Sequence, residues 1–290
     1  MSAVISPVAG AVGAEVDGVD LRDVDATTAE TLRLALATHG VLFFRAQHLS
    51  DAEHVVAAEV FGPTELFEMA PAAEHPLVHV VSSSGLPNRH GGATTWHSDA
   101  TWRECPPRGS MLRAVEVPDF GGDTLFASAN GAYQTLSSGL QRMVDELSAT
   151  HSGGAALERA GERVDRTAPA AVQHPVVRRH PVTGSPCLFV NRVFTRSLDG
   201  VPAPENNVLL PYLCDVVRDP ELQCRFRWQV GDVAIWDNCA VQHYATPDHG
   251  GDRRMHRVVL AGDPVVAHAA QSTLSSAALP AIDQFTQSAP

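Results

Sequence analysis

The sequence predicts a mainly β-protein with flanking helices, folded as a double-stranded β-helix, that is, a cupin-like jelly roll. Two observations favour this fold: many short apolar segments separated by Gly, Pro, Asn and Asp, and few helical patterns between them. The sequence shows no internal repeat and no low-complexity tract. We therefore expect a single domain over residues 1–290.

Capping patterns predict where the first helices begin. Thr27 is followed three residues later by Glu30, and Ser50 by Glu53, each before an apolar-periodic segment. Gly40 is expected to end the first helix. Two further helical regions are predicted, near Asn130–Thr150 and Glu205–Val217.

Nine segments have the length and residue types of strands. They are Val41–Phe44, Leu77–Val81, Ser110–Val117, Thr124–Ala127, Pro175–Arg179, Cys187–Val190, Arg225–Val230, Val233–Trp236 and Arg257–Ala261. Residues 152–173 have no clean period, which predicts a mobile loop over one mouth of the barrel. The Ser/Ala-rich residues 268–290 predict a peripheral tail.

Charge and cysteine content exclude several classes of function. The chain has 33 acidic and 21 basic residues, a net charge of −12, and no long basic cluster, so neither nucleic acid nor an anionic membrane is an expected partner. The N-terminus lacks the pattern of a secretion signal, which predicts a cytoplasmic protein. Five scattered cysteines favour neither a disulfide framework nor a thiolate zinc site.

Two sequence elements offer metal ligands. His97 and Asp99 stand one residue apart, so in extended chain both side chains leave the same face. His243 follows the segment Trp236-Asp237-Asn238. Alone, the first pair is more typical of a surface histidine beside a turn, and His243 of a core histidine. Together, two imidazoles and one carboxylate can occupy one face of an octahedral Fe(II) and leave three positions open.

An arginine cluster and a turn offer groups for anions. Arg253, Arg254 and Arg257 lead into the last predicted strand, where a period of two places Arg253 and Arg257 on one face and Arg254 on the other. A guanidinium group can be a solvated charge or can grip a carboxylate through two parallel hydrogen bonds. A Gly-Gly-Asp turn precedes Thr124, whose hydroxyl begins the next strand; by itself this is a hairpin turn.

Together these motifs resemble the taurine dioxygenase/2,4-D dioxygenase (TauD/TfdA) family of Fe(II)- and 2-oxoglutarate-dependent oxygenases. The resemblance extends over nearly the whole chain to about Pro264. Its motifs are Gly13–Leu21, Gly40–Arg45, the Trp-His-x-Asp element, Gly121–Leu125, His174–Val177, Leu188–Asn191 and the C-terminal Trp-Asp-Asn, Gln-His-Tyr-Ala and Arg-Arg-Met-His-Arg.

The resemblance implies a role for each candidate residue. His97, Asp99 and His243 would ligate Fe(II), and Thr124 would hydrogen-bond the distal carboxylate of 2-oxoglutarate. Counting back from the last strand selects Arg253 as the arginine that holds this carboxylate, with Arg257 close to both co-substrate and substrate. Counting forward from the metal-binding histidine would select Arg254 instead. We favour Arg253 because strand parity is a physical constraint, whereas loop length is not.

The implied reaction couples oxidative decarboxylation of 2-oxoglutarate, to succinate and CO2, to O2-dependent hydroxylation of a small organic substrate. Arg257 favours an anion, such as an alkyl sulfate or sulfonate, an aryloxyacid or an amino acid derivative. Trp102 and Phe194 could line the apolar part of the pocket. Taurine itself is disfavoured, because Ala93 and the segment 63–68 replace residues that taurine-specific members carry.

Two other readings stay open at this stage. One is a non-redox jelly-roll metalloenzyme, an isomerase or hydrolase that uses zinc or manganese on the same three residues and does not need Thr124 or Arg253. The other is a binding jelly roll without a metal, which the intact ligand set disfavours. The resemblance also predicts a homo-oligomer, a dimer or a tetramer.

Overall fold

The architecture consists of β-sheets that face each other across an apolar interior, with helices on their outer faces. The computed structural model describes residues 3–67, 72–82, 92–154 and 170–268. The strands are β1 Val4–Pro7, β2 Ala14–Asp17, β3 Val41–Phe44, β4 Thr64–Glu65, β5 His79–Ser82, β6 Gly109–Glu116, β7 Thr124–Ser128, β8 Ser148–His151, β9 Val172–Pro175, β10 Val177–Arg179, β11 Pro186–Leu188, β12 Thr195–Leu198, β13 Gln223–Phe226, β14 Val233–Asp237, β15 Val241–Ala245 and β16 Arg254–Leu260. The α-helices are α1 Ala26–His39, α2 Asp51–Glu59, α3 Ala129–Thr135, α4 Ser138–Asp145 and α5 Ala203–Asp215.

The larger sheet has the order β1-β2-β3-β14-β6-β16-β4, and β5 also pairs with β16. All its pairings are antiparallel except that of β2 with β3. A second sheet has the order β13-β7-β15, and two smaller ones contain β12-β8-β9 and β10-β11. This arrangement confirms the predicted jelly roll.

The core is divided into three layers. The middle layer lies between the two main sheets and contains Phe43, Phe126, Phe226 and Trp236, with Phe43 stacked on Phe226 at 4.1 Å between ring centroids. A second layer packs the outer face of the larger sheet against α1 and α2. A third layer packs α3, α4 and α5 against the smaller sheets. Helices on the outside therefore leave the interior between the sheets for the site.

The helix signals were partly correct. Ser50 and Glu53 form the predicted capping box of α2, and Gly40 caps the C-terminus of α1. The predicted capping box at Thr27 and Glu30 is not formed, because α1 begins at Ala26, so Thr27 lies inside the helix and does not cap it. Its N-cap is Asp25, whose carboxylate accepts a hydrogen bond from Thr28 N at 2.7 Å.

The strand predictions were correct at the core and less so at the ends. The predicted strand Val41–Phe44 has those bounds in the structure. The predicted strand Pro175–Arg179 is divided between β9 and β10, because the Val176 N–H bonds outside both strands, to Leu147 O at 2.9 Å. The last strand begins at Arg254 rather than Arg257, since the charged residues before Arg257 also pair with β5 and β6.

The predicted loop and tail lie largely outside the described residues, which exclude 155–169 and 269–290. At the end of the predicted loop, Val172 and Gln173 belong to β9 and are not part of a loop. At the start of the predicted tail, His268 N donates to Val177 O at 3.0 Å and its ring packs against Tyr133. Among the residues described, no helix is long and apolar enough to cross a membrane.

Candidate active site

Two histidines face each other at the β15 edge of the second sheet, which has the order β13-β7-β15. His243 lies on β15, and His97 forms an antiparallel bridge with it through backbone hydrogen bonds of 2.8 and 3.2 Å. Residues directly opposite in such a pair present their side chains on the same face. The two imidazole centroids are 4.2 Å apart as a result.

Asp99 reaches the same point from a tight turn that Asn238 holds in place. The Asn238 side chain accepts from Asp99 N at 2.6 Å and donates to Asp99 O at 3.0 Å and to Pro107 O at 2.9 Å. The turn continues through Ala100, which has a positive φ of 45°. Ser110 Oγ donates to Asp99 Oδ2 at 3.1 Å, so the Asp99 carboxylate is fixed as well as its backbone.

The three side chains meet in a geometry that fits a metal ion. One ligand atom from each of His97, Asp99 and His243 lies within 4.8 Å of the others. Asp99 Oδ1 is 3.9 Å from His97 Nε2 and 3.8 Å from His243 Nε2. His97 Nδ1 lies 2.7 Å from the Thr95 carbonyl oxygen, which can only accept, so Nδ1 carries the proton and donates. The lone pair of Nε2 is therefore available to a metal ion. This buried set of two imidazoles and one carboxylate fits Fe(II).

The protonation states also suit ligation. Burial lowers the pKa of His97 and lowers that of His243 to about 3, so both rings are neutral at physiological pH. For Asp99, burial acts to raise the pKa, but the positive charge of Arg257 and the hydrogen bond from Ser110 favour the ionised form, and the pKa is lowered to about 2. Neutral imidazoles and an ionised carboxylate are the forms that bind a divalent cation.

Arg257 lies beside this cluster. Its Nη1 donates to Asp99 Oδ1 at 3.2 Å, and its guanidinium group lies over the Phe67 ring at 4.7 Å. Its Nε is buried and has no hydrogen-bond partner among the residues that the structure describes. Arg257 faces Leu112 across the sheet, which places it on the interior side. The guanidinium group therefore has capacity for a further acceptor.

Arg253 and Thr124 lie together, and Arg254 lies apart from them. Arg253 is 7% exposed and donates from Nε to Gly122 O at 2.9 Å, with Nη2 3.5 Å from Thr124 Oγ1. Trp228 Nε1 also donates to Thr124 Oγ1, at 3.0 Å. Arg254 is exposed and pairs with Glu116 at 3.6 Å. Arg253, rather than Arg254, therefore lies in the interior, although Arg253 precedes β16 by one residue and the register of β16 against β6 shifts between Arg254 and Met255.

The two predicted pocket aromatics lie at different places. Phe194 packs edge-on against His97, with 6.4 Å between ring centroids. Trp102 packs on the backbone of Gly153, where an added Cβ would lie 3.2 Å from the indole. Of the two, Phe194 is the one that contacts a residue of the candidate metal site.

Four site residues were not recognised from the sequence. Asn238 stands inside the quoted Trp-Asp-Asn segment, but nothing local indicates that it holds Asp99. Ser110, Phe67 and Trp228 have ordinary sequence surroundings. A comparison of many related sequences could have drawn attention to them.

Comparisons with known proteins agree with this geometry. The model of the family "Taurine catabolism dioxygenase TauD, TfdA family" matches residues 5–259. An alpha-ketoglutarate-dependent sulfate ester dioxygenase of Pseudomonas putida is 38% identical over 279 residues, covering 89% of each protein. An alkylsulfatase of Acinetobacter baylyi is 36% identical, covering 88% of this chain and 83% of that protein. The crystal structure of a taurine dioxygenase from Burkholderia xenovorans superposes with a TM-score of 0.80 at 35% identity, covering 92% of this chain and 93% of that one.

The alternative of a non-redox metalloenzyme is not supported by this family. The geometry and the relatives lead to one assignment: this chain belongs to the taurine catabolism dioxygenase TauD, TfdA family and is an Fe(II)- and 2-oxoglutarate-dependent dioxygenase.

Proposed function

We propose that this enzyme oxidises small alkyl sulfate esters and releases sulfate and an aldehyde. In this reaction 2-oxoglutarate and O2 become succinate and CO2, and one oxygen atom enters the C–H bond next to the ester oxygen. The resulting carbon carries both a hydroxyl group and a sulfate group. It collapses by breaking the C–O bond to sulfate while the hydroxyl loses its proton, which gives the aldehyde and hydrogen sulfate.

His97, Asp99 and His243 would hold the iron. Bound Fe(II), together with 2-oxoglutarate and O2, supplies the oxidising power for the C–H bond. The protein's own contribution is to fix the ligands, through the hydrogen bonds of Asn238 and Ser110 to Asp99, and to bury them away from water. The support for this assignment is the buried position and the protonation state of the three side chains.

Arg253 and Thr124 would hold the distal carboxylate of 2-oxoglutarate. Among the described residues, no carboxylate lies within ion-pair distance of Arg253, and the neighbouring Asp123 is paired with Arg225 at 2.6 Å. Burial lowers the pKa of Arg253 to about 10, and the charge of Asp123 offsets this effect only in part. A buried guanidinium group that has no ion-pair partner among the described residues, and that lies beside a hydroxyl group, suits the far end of a dicarboxylate.

The substrate proposal rests on Arg257, which lies next to Asp99. Its buried Nε has no hydrogen-bond partner among the described residues, so it can donate to an anionic substrate. A sulfate ester bound there would have its charged end on the guanidinium group, and its first carbon would extend toward the metal side chains. Phe194, beside His97, would contact the alkyl chain. The two relatives described above, a sulfate ester dioxygenase and an alkylsulfatase, favour a sulfate ester over a sulfonate.

We further propose that the enzyme works in the cytoplasm on a small-molecule substrate, as a dimer or a tetramer. The support for this proposal is the resemblance of the chain to the taurine catabolism dioxygenase TauD, TfdA family. Sedimentation equilibrium of the purified chain tests the oligomeric state, and a monomer at micromolar concentration would contradict it.

The test is an assay of succinate and sulfate release with Fe(II), 2-oxoglutarate and O2. An alkyl sulfate, an alkanesulfonate and an aryloxyacid of similar size are compared. We expect the alkyl sulfate to give the highest kcat/KM and equal amounts of succinate, sulfate and aldehyde. Arg257→Gln should raise the KM for the ester, whereas Arg254→Gln, an exposed arginine on the same strand, should not. Higher activity on the aryloxyacid, or succinate without sulfate, would refute the substrate assignment.

A further inference from the structure

A second cluster of positive charge surrounds a cavity away from the three metal side chains. The cavity has a volume of about 280 Å³ and lies between the loop around Pro106, strand β10 and residues 263–266. Three of its lining residues are arginines, Arg108, Arg178 and Arg179. In a chain with a net charge of −12, three guanidinium groups around one cavity need a physical explanation.

Arg178 is the most unusual of the three. It is only 5% exposed, and no carboxylate in the described part of the chain forms an ion pair with it. Its Nε is buried, and none of the described groups forms a hydrogen bond with it. The Cζ atom of its guanidinium group lies 4.7 Å from the centre of the Phe189 ring, a cation–π contact that offsets part of the cost of burying the charge. A buried arginine in this state is costly unless an anion binds beside it.

The acidic groups nearby neutralise the positive charge of the cavity only in part. Asp237 is buried behind Arg108, 3.8 Å from its Nε, and is shared with His180, whose Nε2 is 3.1 Å away. Asp263, the only carboxylate among the lining residues, is exposed. Three arginines and Asp263 give the lining side chains a net charge of about +2, which Asp237, paired with Arg108, reduces to about +1.

We propose that this cavity binds a tetrahedral oxyanion, sulfate or phosphate. Guanidinium groups from two chain segments, the loop that carries Arg108 and strand β10, can donate to different oxygens of such an anion, and the volume accommodates one with its bridging waters. The site is joined to the metal site through the backbone: Asn238 N donates to Arg108 O at 2.9 Å, and Asn238 holds Asp99. This proposal does not depend on the substrate of the enzyme.

The test is isothermal titration calorimetry of the full, metal-free chain with sodium sulfate and with sodium phosphate, at an ionic strength held constant with sodium chloride. We expect saturable binding of at least one anion, weakened about tenfold or more in Arg178→Gln and in Arg108→Gln. Asp263→Asn should tighten binding, because it removes the one acidic lining group. The relative affinity for sulfate and phosphate identifies which anion occupies the cavity.

Two controls separate this cavity from other arginines. Arg254→Gln should bind the anion as the wild type does, and so should Arg257→Gln, which removes the arginine beside Asp99. Circular dichroism checks that each variant is folded. If Arg178→Gln does not fold, the proposal is tested with Arg108→Gln and Asp263→Asn, which change less buried residues. The proposal is overturned if neither anion binds at millimolar concentration, or if binding disappears in Arg257→Gln and persists in Arg108→Gln.

Discussion

Replacing Arg253 by methionine should weaken the binding of 2-oxoglutarate without lowering the free energy of unfolding of the apoprotein. Burial lowers the pKa of Arg253 to about 10, a fall that corresponds to about 3 kcal/mol of unfavourable free energy in the folded apoprotein. The substitution also removes the charged hydrogen bond to Gly122 O, worth about 1.5–3 kcal/mol. The two effects nearly cancel, so the free energy of unfolding of the apoprotein should be unchanged or slightly higher.

Binding of 2-oxoglutarate should respond in the opposite way. Loss of one charge-assisted interaction of about 1.5–3 kcal/mol weakens binding roughly 10- to 100-fold, at about 1.4 kcal/mol per decade. The assay is an anaerobic titration of the Fe(II)-loaded protein with 2-oxoglutarate, which follows the weak visible charge-transfer band of the chelated ketoacid. Urea unfolding of the apoprotein measures stability.

The matched control is Arg254→Met, which changes the adjacent arginine, exposed and paired with Glu116. We expect it to bind 2-oxoglutarate like the wild type. If Arg254→Met loses the affinity and Arg253→Met keeps it, the assignment of the co-substrate arginine is wrong. If Arg253→Met instead unfolds several kcal/mol more easily, the argument from its uncompensated charge fails.

Three further predictions follow from other parts of the structure. Asn238→Ala should weaken Fe(II) affinity about 10- to 100-fold in equilibrium metal titrations, because the turn that carries Asp99 loses its two hydrogen bonds to the Asn238 side chain. Unchanged affinity would contradict this. Burial lowers the pKa of His54 and of His151 to about 3 in the folded protein. As the pH drops below about 6.5, both histidines become protonated in the unfolded chain but not in the folded one, so the free energy of unfolding falls. At pH 5 each should cost about 2 kcal/mol in urea unfolding, and a flat profile from pH 7.5 to 5 would refute this. Ser50→Ala should cost about 1 kcal/mol through loss of the α2 capping box, whereas Thr27→Ala, within α1, should cost much less in the same thermal or urea unfolding experiment.

The sequence predicted the buried strands better than the edge strands. Val41–Phe44 is wholly buried, and its continuous apolar run is the pattern expected of a central strand. Strand β1, Val4–Pro7, is mostly exposed at the edge of its sheet and was missed, because it shows no alternation of apolar and polar residues. Strand β12, Thr195–Leu198, contains an irregular register against β8, and such a bulge also removes the period of two.

The candidate site was predictable to the extent that its chemistry is local. One residue separates His97 from Asp99, and a period of two predicts that Arg253 and Arg257 lie on one face, so spacing alone indicated both pairs. The hydrogen bond from Asn238 to Asp99 joins residues 139 positions apart, and the cation–π contact of Arg257 involves Phe67 from a distant segment. Such pairings depend on the tertiary fold, and no local pattern of residue types indicates them.

The charges of the site give an independent reason to expect an anionic substrate. Two interior arginines and a bound Fe(II) contribute four positive charges, and Asp99, ionised because its pKa is about 2, reduces the sum to three. The 2-oxoglutarate dianion leaves one positive charge, which a sulfate ester monoanion neutralises. Burying this remaining positive charge without a counterion costs free energy. A neutral analogue of the same shape does not supply the missing negative charge, so the cost remains when it binds. An alkyl sulfate should therefore bind to the Fe(II) and 2-oxoglutarate complex much more tightly than the corresponding alcohol, and this preference should diminish in Arg257→Gln.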